Sequence, residues 1–472
     1  MKKLTAAEPA NPWPTFVVCA IAAYIATLDM SIVNVAFAEI ARSFPGSSRG
    51  TISWVVTAYS ILFGSLLVVS GRSADRVGRR RLLLIGTGLF LAGSLACAVS
   101  PGLGLLVAGR AVQGVGGALL VPSSLGLLLA AFPDTRRSQA IAWNGAVGAL
   151  GVASGPTLGA LCVAAFGWRS AFWINVPICL VVAALAWRMV PDSPRVAGPR
   201  PDVAASVVLT VSVASLVWAI SRAETLGWGD RSVIGLLALA AVFGAVVAQR
   251  SRRHPRPLLP PSLFTRRTAT AANLATVVFG IAFSANLLNN VLFLRTVWRY
   301  GVVRAGLFSV LAPVVVAVTS VVAGRLMRRV GFRPLLLAGP LGIALVAVGQ
   351  ARLLTESPTP VTRWLPLMFL LGVGIGSTFP VLAAASVHGL PPEHFALGGA
   401  VNNTARQVGA AVGVALVVTI QGTADGIAGF RAGWLFVAAC CGLAAAVSLA
   451  QPRPVRAASP APVALAVSAL DG

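Results

Sequence analysis

The sequence predicts an all-α integral membrane protein: two copies of a six-helix unit with a helical hairpin inserted between them. Three observations lead there. The 472 residues are 57% hydrophobic and only 11% charged, and the apolar residues fall in runs close to the ~20 needed to cross the hydrocarbon core. The polar stretch GRSADRVGRRR at 71–81 returns 253 residues later as GRLMRRVGFRP at 324–334. A second echo pairs Ala142, Asn144, Gly151, Ala153 and Gly155 with Ala400, Asn402, Gly409, Ala411 and Gly413, an offset of 258. Two echoes in the same order at nearly one offset mark a duplicated unit.

Backbone polar groups in hydrocarbon must pair within the protein, which leaves helices or a closed barrel, and these runs are too continuous for barrel strands. Fourteen spans are expected, at 14–36, 51–70, 82–100, 103–130, 140–164, 171–190, 203–221, 232–249, 268–293, 305–324, 334–353, 364–387, 396–420 and 431–450. The first six form an N-terminal bundle within 1–190 and the last six a C-terminal bundle over 268–450. Spans 203–221 and 232–249 echo neither half and form the inserted hairpin, within a linker region of 191–267. The Pro- and Ala-rich tail, 451–472, is expected to be disordered.

The net charge of +24 is carried in short segments between apolar runs. Nucleic acid is therefore not expected as a partner, and the lipid bilayer is. Lys and Arg are more numerous in the segments on the side of both termini, which predicts a cytoplasmic location for both in a bacterial inner membrane. Loops 71–81 and 324–334 are expected to be short polar turns at that face, because their charges cannot enter hydrocarbon. Trp13, Trp54, Trp168, Trp173 and Trp364 fall near span ends, where interfacial anchors are expected. The six cysteines all lie inside apolar runs and read as small buried residues. His254, His388 and His394 lack metal-ligand spacing, and no phosphate loop, nucleophile elbow or other catalytic constellation is present. No enzyme, metal site or cofactor is expected.

Polar residues inside spans carry the chemistry. Asp29 lies halfway along the first span, where a carboxylate must face a polar cavity or a partner. It reads as a proton carrier or ligand contact, with a purely structural carboxylate as the alternative. Asn34 follows five residues on. Arg110 lies in the fourth span with Gln113 one turn along, a fixed cation able to hold a nearby acid ionised. Arg406 repeats the situation in the second half beside Asn402, Asn403 and Gln407. In the fifth span Gly151, Gly155 and Gly159 recur every fourth residue and read as a groove for a neighbouring helix, with Pro156 permitting a bend. Leucine at 155 is expected to lock or misfold such a groove, and alanine to be milder.

These motifs together resemble those of a family. GRSADRVGRRR is similar to the signature between helices two and three of the major facilitator superfamily, and AGRAVQGVGG (108–117) to its helix-four motif. GPTLGA (155–160) resembles its antiporter motif, and LDMSIVNVAF (28–37) its first-helix motif. WRSAFWINVP (168–177) and NNTARQVGAAVG (402–413) are similar to segments of the drug:proton antiporters with fourteen helices. The resemblance implies two bundles around a central cavity and export of amphipathic drugs or antibiotics by alternating access against inward proton flow. It implies proton coupling by Asp29 and Arg110, and a conformational switch at Gly71, Asp75, Arg76, Gly78, Arg79 and, in helix five, Gly151, Gly155, Pro156 and Gly159. Asn34, Gln113, Asn402, Asn403, Arg406 and Gln407 are then the expected cavity residues. A metabolite or uptake transporter on the same fold, or a non-transporting membrane sensor, are the rival readings. The sequence leaves oligomeric state open, with a monomer as the expectation.

The second loop carries Arg328 where the first carries Asp75, so any charge latch is one-sided. Asp75→Asn is expected to shift the resting population by 5- to 30-fold, the equivalent of ~1–2 kcal/mol at a helix terminus. Cysteine accessibility from each side of the membrane measures that shift; unchanged accessibility alongside lost transport excludes the latch.

Overall fold

The computed structural model describes residues 11–192, 202–254, 257–259, 267–390, 395–422 and 426–451. Among them the regular structure is entirely helical. The first unit comprises α1 (Trp13–Ser43), α2 (Arg49–Val77), α3 (Arg79–Ala98), α4 (Leu103–Ala131), α5 (Asp134–Phe166) and α6, which runs as Ser170–Trp173 and Asn175–Met189. The hairpin is α7 (Val203–Leu226) and α8 (Arg231–Arg253). The second unit comprises α9 (Arg267–Thr296), α10 (Val302–Ser309 and Leu311–Val330) and α11 (Phe332–Leu353). It continues with α12 (Leu365–Val387, entered through a wide turn at Pro360–Trp364), α13 (Phe395–Gly422) and α14 (Ile427–Ser448). Thirteen of the described helices are long and apolar enough to cross a membrane; α5 is as long, with a shorter apolar stretch at Leu150–Phe166. The linker residues 193–201, most of 255–266, and the tail after Gln451 lie outside the described residues.

Packing repeats with the sequence. In the first unit α1 packs on α5, α3 on α4, α2 on α4, and α3 on α6; in the second, α9 packs on α13, α11 on α12, α10 on α12, and α11 on α14. The units meet where α2 lies along α13, α5 against α10, and α1 against α9. The hairpin lies on one of these seams, since α7 packs on both α2 and α13. Val213, Val217 and Ile220 there share a buried cluster with Ile61, Ala411 and Ala415. Only 11% of the apolar window of α8 is buried, against 78% for α2, so α8 is the most lipid-facing of the spans. Its C-terminal end is tied by Arg250 to Asp202 at 3.0 Å, and Asp202 also caps α7 by accepting from the Ala205 N–H.

The duplicated loops are not polar turns of several residues. α2 stays helical to Val77 and α3 starts at Arg79, so the whole reversal falls on Gly78; likewise α10 ends at Val330 and α11 starts at Phe332 about Gly331. Continuing the helix satisfies backbone groups that a turn would leave unpaired at the interface and carries the arginines past the hydrocarbon. Gly78 has φ 102° and Gly331 φ 79°, a region that costs other residues ~1–2 kcal/mol. That is why both copies of the loop keep glycine at this position.

Two of the five tryptophans are core residues rather than interfacial anchors. Trp364 is fully buried and donates to the Phe308 carbonyl at 3.0 Å; Trp168 is buried and donates to Ser43 Oγ at 3.0 Å. A ring nitrogen with a protein acceptor has no need of headgroups. Trp13 and Trp173 remain exposed.

The glycine stripe on α5 does face a helix. A Cβ at Gly151 would meet the Tyr24 carbonyl at 2.7 Å, one at Gly155 would overlap Ser31 Cβ and Oγ, and one at Gly159 would press on Ile32 at 3.3 Å. Pro156 cannot donate to the Val152 carbonyl, and Ser31 Oγ donates to it instead at 3.1 Å. Gly409 and Gly413 repeat the arrangement on α13 against Val277, Ile281 and Ser284 of α9. The space is tighter than the sequence reading allowed. Gly155→Ala is therefore expected to lower the melting temperature measurably, and Gly155→Leu to prevent recovery of a monodisperse protein; both are checked by fluorescence-detected size exclusion with a thermal ramp.

Candidate functional site

Within the first unit, five helices converge on one ion pair. The long apolar span of α1 carries Asp29 to the level where α4 presents Arg110, and both side chains are buried. Arg110 Nη1 donates to Asp29 Oδ2 at 2.6 Å and to Gln113 Oε1 at 2.8 Å, and Nε donates to the Val55 carbonyl of α2 at 2.9 Å. The guanidinium lies 4.5 Å from the Tyr59 ring centroid and 5.9 Å from that of Phe172. Asp29 Oδ1 accepts from Asn175 Nδ2 at 2.8 Å and from Gln113 Nε2 at 3.3 Å. Both amides also donate to Ser94 Oγ of α3, at 3.3 and 2.6 Å.

The close approach of α3 and α4 makes this reach possible. A Cβ at Gly93 would sit 2.7 Å from the Gln113 amide nitrogen, and one at Gly116 would sit 2.5 Å from that of Phe90. The charges inside the cluster are matched, as a buried pair requires, while Asn175 Oδ1 and the Tyr59 hydroxyl are buried without a partner among the described residues.

Of the other residues singled out in the sequence, Gln113 belongs to this cluster. Asn34 does not: its Nδ2 donates to the Met30 carbonyl of its own helix at 2.7 Å. Asn402 donates to Asn273 Oδ1 and Thr276 Oγ1 of α9 at 3.1 and 2.8 Å. Arg406 Nε and Nη2 both donate to Asn403 Oδ1, at 3.2 and 2.8 Å, and the guanidinium lies 5.6 Å from the Phe379 ring centroid. Gln407 reaches across the seam to Met30 Sδ at 3.8 Å, next in sequence to Asp29.

Around the first loop, a Cβ at Gly71 would make only an ordinary contact with Pro122, and Arg79 Nη1 donates to the Gly126 carbonyl of α4 at 2.6 Å. Arg76 lines a cavity of about 420 Å³ with Ser73, Asp202, Arg250 and His254. The side chains of Asp75 and Arg328 lie outside the described residues.

Sequence reasoning missed Ser94 and Asn175 as members of the cluster, and missed the amide network of the second unit. There Asn286 Nδ2 donates to Gln350 Oε1 (3.2 Å), while Asn290 Oδ1 accepts from Gln350 Nε2 (3.1 Å) and Trp434 Nε1 (2.8 Å). Asn286, Gln350 and Trp434 stand 257, 256 and 259 residues after Asp29, Ser94 and Asn175, so this is the duplicate of the charged cluster with its charge removed. Met368 stands 258 residues after Arg110. A lone polar residue in an otherwise apolar run, as with Asn175, was the available signal.

Known proteins match this architecture. The family model of the Major Facilitator Superfamily matches residues 19–414. The chain belongs to the major facilitator superfamily. It is similar to the methylenomycin A resistance protein of Streptomyces coelicolor, 33% identical over 85% of this chain and 84% of that protein. It is also similar to a puromycin resistance protein of Streptomyces alboniger, 34% identical over 88% of this chain and 82% of the relative. Among solved structures the peptide transporter POT overlays with a TM-score of 0.69 at 14% identity, covering 92% of this chain and 94% of that one. The inward-open xylose transporter XylE of E. coli gives 0.66 at 15%, covering 95% and 98%. This major facilitator protein is a multi-pass membrane transporter and not an enzyme.

Removing one member of the buried pair strands the other. Asp29→Asn and Arg110→Gln are each expected to destabilise by ~3–5 kcal/mol, and the double variant by less than the sum. Thermal unfolding of the four proteins in one detergent tests this coupling; additive losses would show that the two side chains do not pair.

Proposed function

We propose that this superfamily member exports amphipathic drugs or antibiotics from the cytoplasm of a bacterium by alternating access, in exchange for protons, with both termini cytoplasmic. The carrying observation is the buried Asp29–Arg110 pair between membrane-spanning helices α1 and α4. The named activities of its relatives, resistance to methylenomycin A and to puromycin, support drugs as the cargo class.

In this reading Asp29 takes a proton when the site faces outward. The neutral carboxyl no longer balances Arg110, whose Nη1 keeps Gln113 and whose Nε keeps Val55. The electrostatic tie between α1 and α4 is thereby loosened, and Met30, one residue on, transmits the change to Gln407 across the seam. Proton release to the cytoplasm restores the pair. One proton moving down 100 mV supplies ~2.3 kcal/mol and one pH unit ~1.4 more, together sufficient for about a 500-fold gradient of neutral cargo.

The glycine contacts of α1 with α5 and of α9 with α13 supply the sliding surfaces for the movement. Arg76 and Arg79, with Gly78 between, supply the switch at the inner ends of α2 and α3, with Asp75 as its acid. At the opposite end Glu39 of α1 pairs with Arg295 of α9, a contact between the two units that the outward-open form must break.

Asp29→Asn is expected to reduce drug-dependent proton movement in proteoliposomes at least about 100-fold, since the amide cannot cycle a proton. Asp29→Glu is expected to keep part of the rate. Undiminished proton movement in Asp29→Asn would remove Asp29 from the mechanism.

A further inference from the structure

The two arginines inside membrane-spanning helices α4 and α13, Arg110 and Arg406, are treated differently. Arg110 is balanced by Asp29, but Arg406 has no acidic partner among the described residues: Asn403 Oδ1 takes two of its hydrogens and the Phe379 face lies beside it. A guanidinium cannot shed its charge, and a cation at this depth is costly unless it faces partners or a polar cavity. Asn403, Arg406 and Ala410, spaced i, i+3, i+7 on α13, are all part-exposed, as are Phe379 of α12 and Phe283 of α9. A charged side chain does not turn to lipid, so this part-exposed face opens on the space between the bundles, one residue from the Gln407–Met30 contact. Among the described residues Nη1 of Arg406 has no hydrogen-bond acceptor. Beside it the rings of Phe379, Phe279 and Phe283 stack edge to face, with centroids 4.8 and 5.1 Å from Phe379.

We propose that Arg406 and these phenylalanines form a cargo subsite for a ring compound bearing a carboxylate. The carboxylate takes the free guanidinium edge, and the ring lies against the aromatic cluster. The chemistry on the page is complementary to that class. Two forked N–H donors match a carboxylate in geometry and sign. An aromatic wall beside them accommodates an apolar ring. A permanent cation would meet like charge, and a neutral ester would leave the guanidinium edge without its anion. The uncharged amide network on Asn286, Asn290 and Gln350 offers no second cation to compete for the anion. This proposal rests on the export reading and narrows it, placing organic acids ahead of cationic drugs.

The test compares 1-naphthaleneacetate with its methyl ester, by calorimetric titration of the purified full-length protein in detergent and by extrusion from proteoliposomes. The wild-type protein is expected to bind the acid at least about ten-fold tighter than the ester, the worth of a charge-assisted hydrogen bond. Arg406→Gln removes that preference while leaving ester affinity in place, and Arg406→Lys keeps part of it. Equal or tighter binding of the ester by the wild type, which depends on no variant folding, overturns the proposal. So does a full acid preference in Arg406→Gln. Extrusion of neutral and cationic ring compounds with no preference for the acid overturns this subsite alone and leaves export standing. Failure to extrude any ring compound, acid, ester or cation, under an imposed proton gradient overturns the export reading and this proposal with it.

Discussion

In hydrocarbon a charge has no solvent to fall back on, and the first unit is arranged around meeting that condition for Asp29 and Arg110. α1 and α4 supply the ions, α2 the Val55 carbonyl and the Tyr59 ring, α3 the Ser94 hydroxyl, and α6 Asn175 and Phe172. Each helix is thus held at the depth and rotation where its polar group reaches the pair. The close glycine contacts between α3 and α4 follow from the same condition, because a side chain as short as serine reaches Gln113 only if the backbones nearly touch. α5 stands outside the cluster and is joined to α1 by close glycine packing and by hydrogen bonds from Thr27 Oγ1 to the Gly148 carbonyl and from Ser31 Oγ to the Val152 carbonyl.

The second unit shows what the same framework does without charge. Its helix pairings repeat those of the first, yet amides replace the acid and methionine stands at the arginine position. Asn286, Asn290, Gln350 and Trp434 satisfy one another with neutral hydrogen bonds, which tie helices together without titrating. Of the two corresponding clusters, the first holds an ion pair and the second, among the described residues, only neutral hydrogen bonds. Arg406 of the second half lies on a different helix, α13, beside Asn403.

Much of this was legible in the sequence because a bilayer punishes ambiguity. Apolar run length fixes where helices lie, and a carboxylate or guanidinium inside a run announces itself; Asp29, Arg110 and Gln113 were identified that way and the structure brings them together. The groove on α5 was legible from spacing, as was the duplication. What escaped depends on rotation and partner choice across helices. Ser94 and Asn175 are ordinary residues until neighbouring spans are placed. Trp168 and Trp364 sit at span ends like anchors, and only tertiary packing reveals that their ring nitrogens already have acceptors. The extent of α2 beyond Gly71 was missed because charge was taken to end a helix, whereas it ends only the hydrocarbon.

The hairpin makes the two flanks of the molecule unequal. By the symmetry of the duplicated units, the α2–α13 seam and the α5–α10 seam would be equivalent, but α7 covers the first with protein. The second is bordered by exposed Leu150, Leu161, Leu307 and Val314, and the two helices touch where Gly306 meets Pro156 and Ala160. A greasy compound dissolved in a leaflet therefore encounters a walled side and an unwalled one. Sideways entry from the bilayer, in any transporter built this way, has a preferred door.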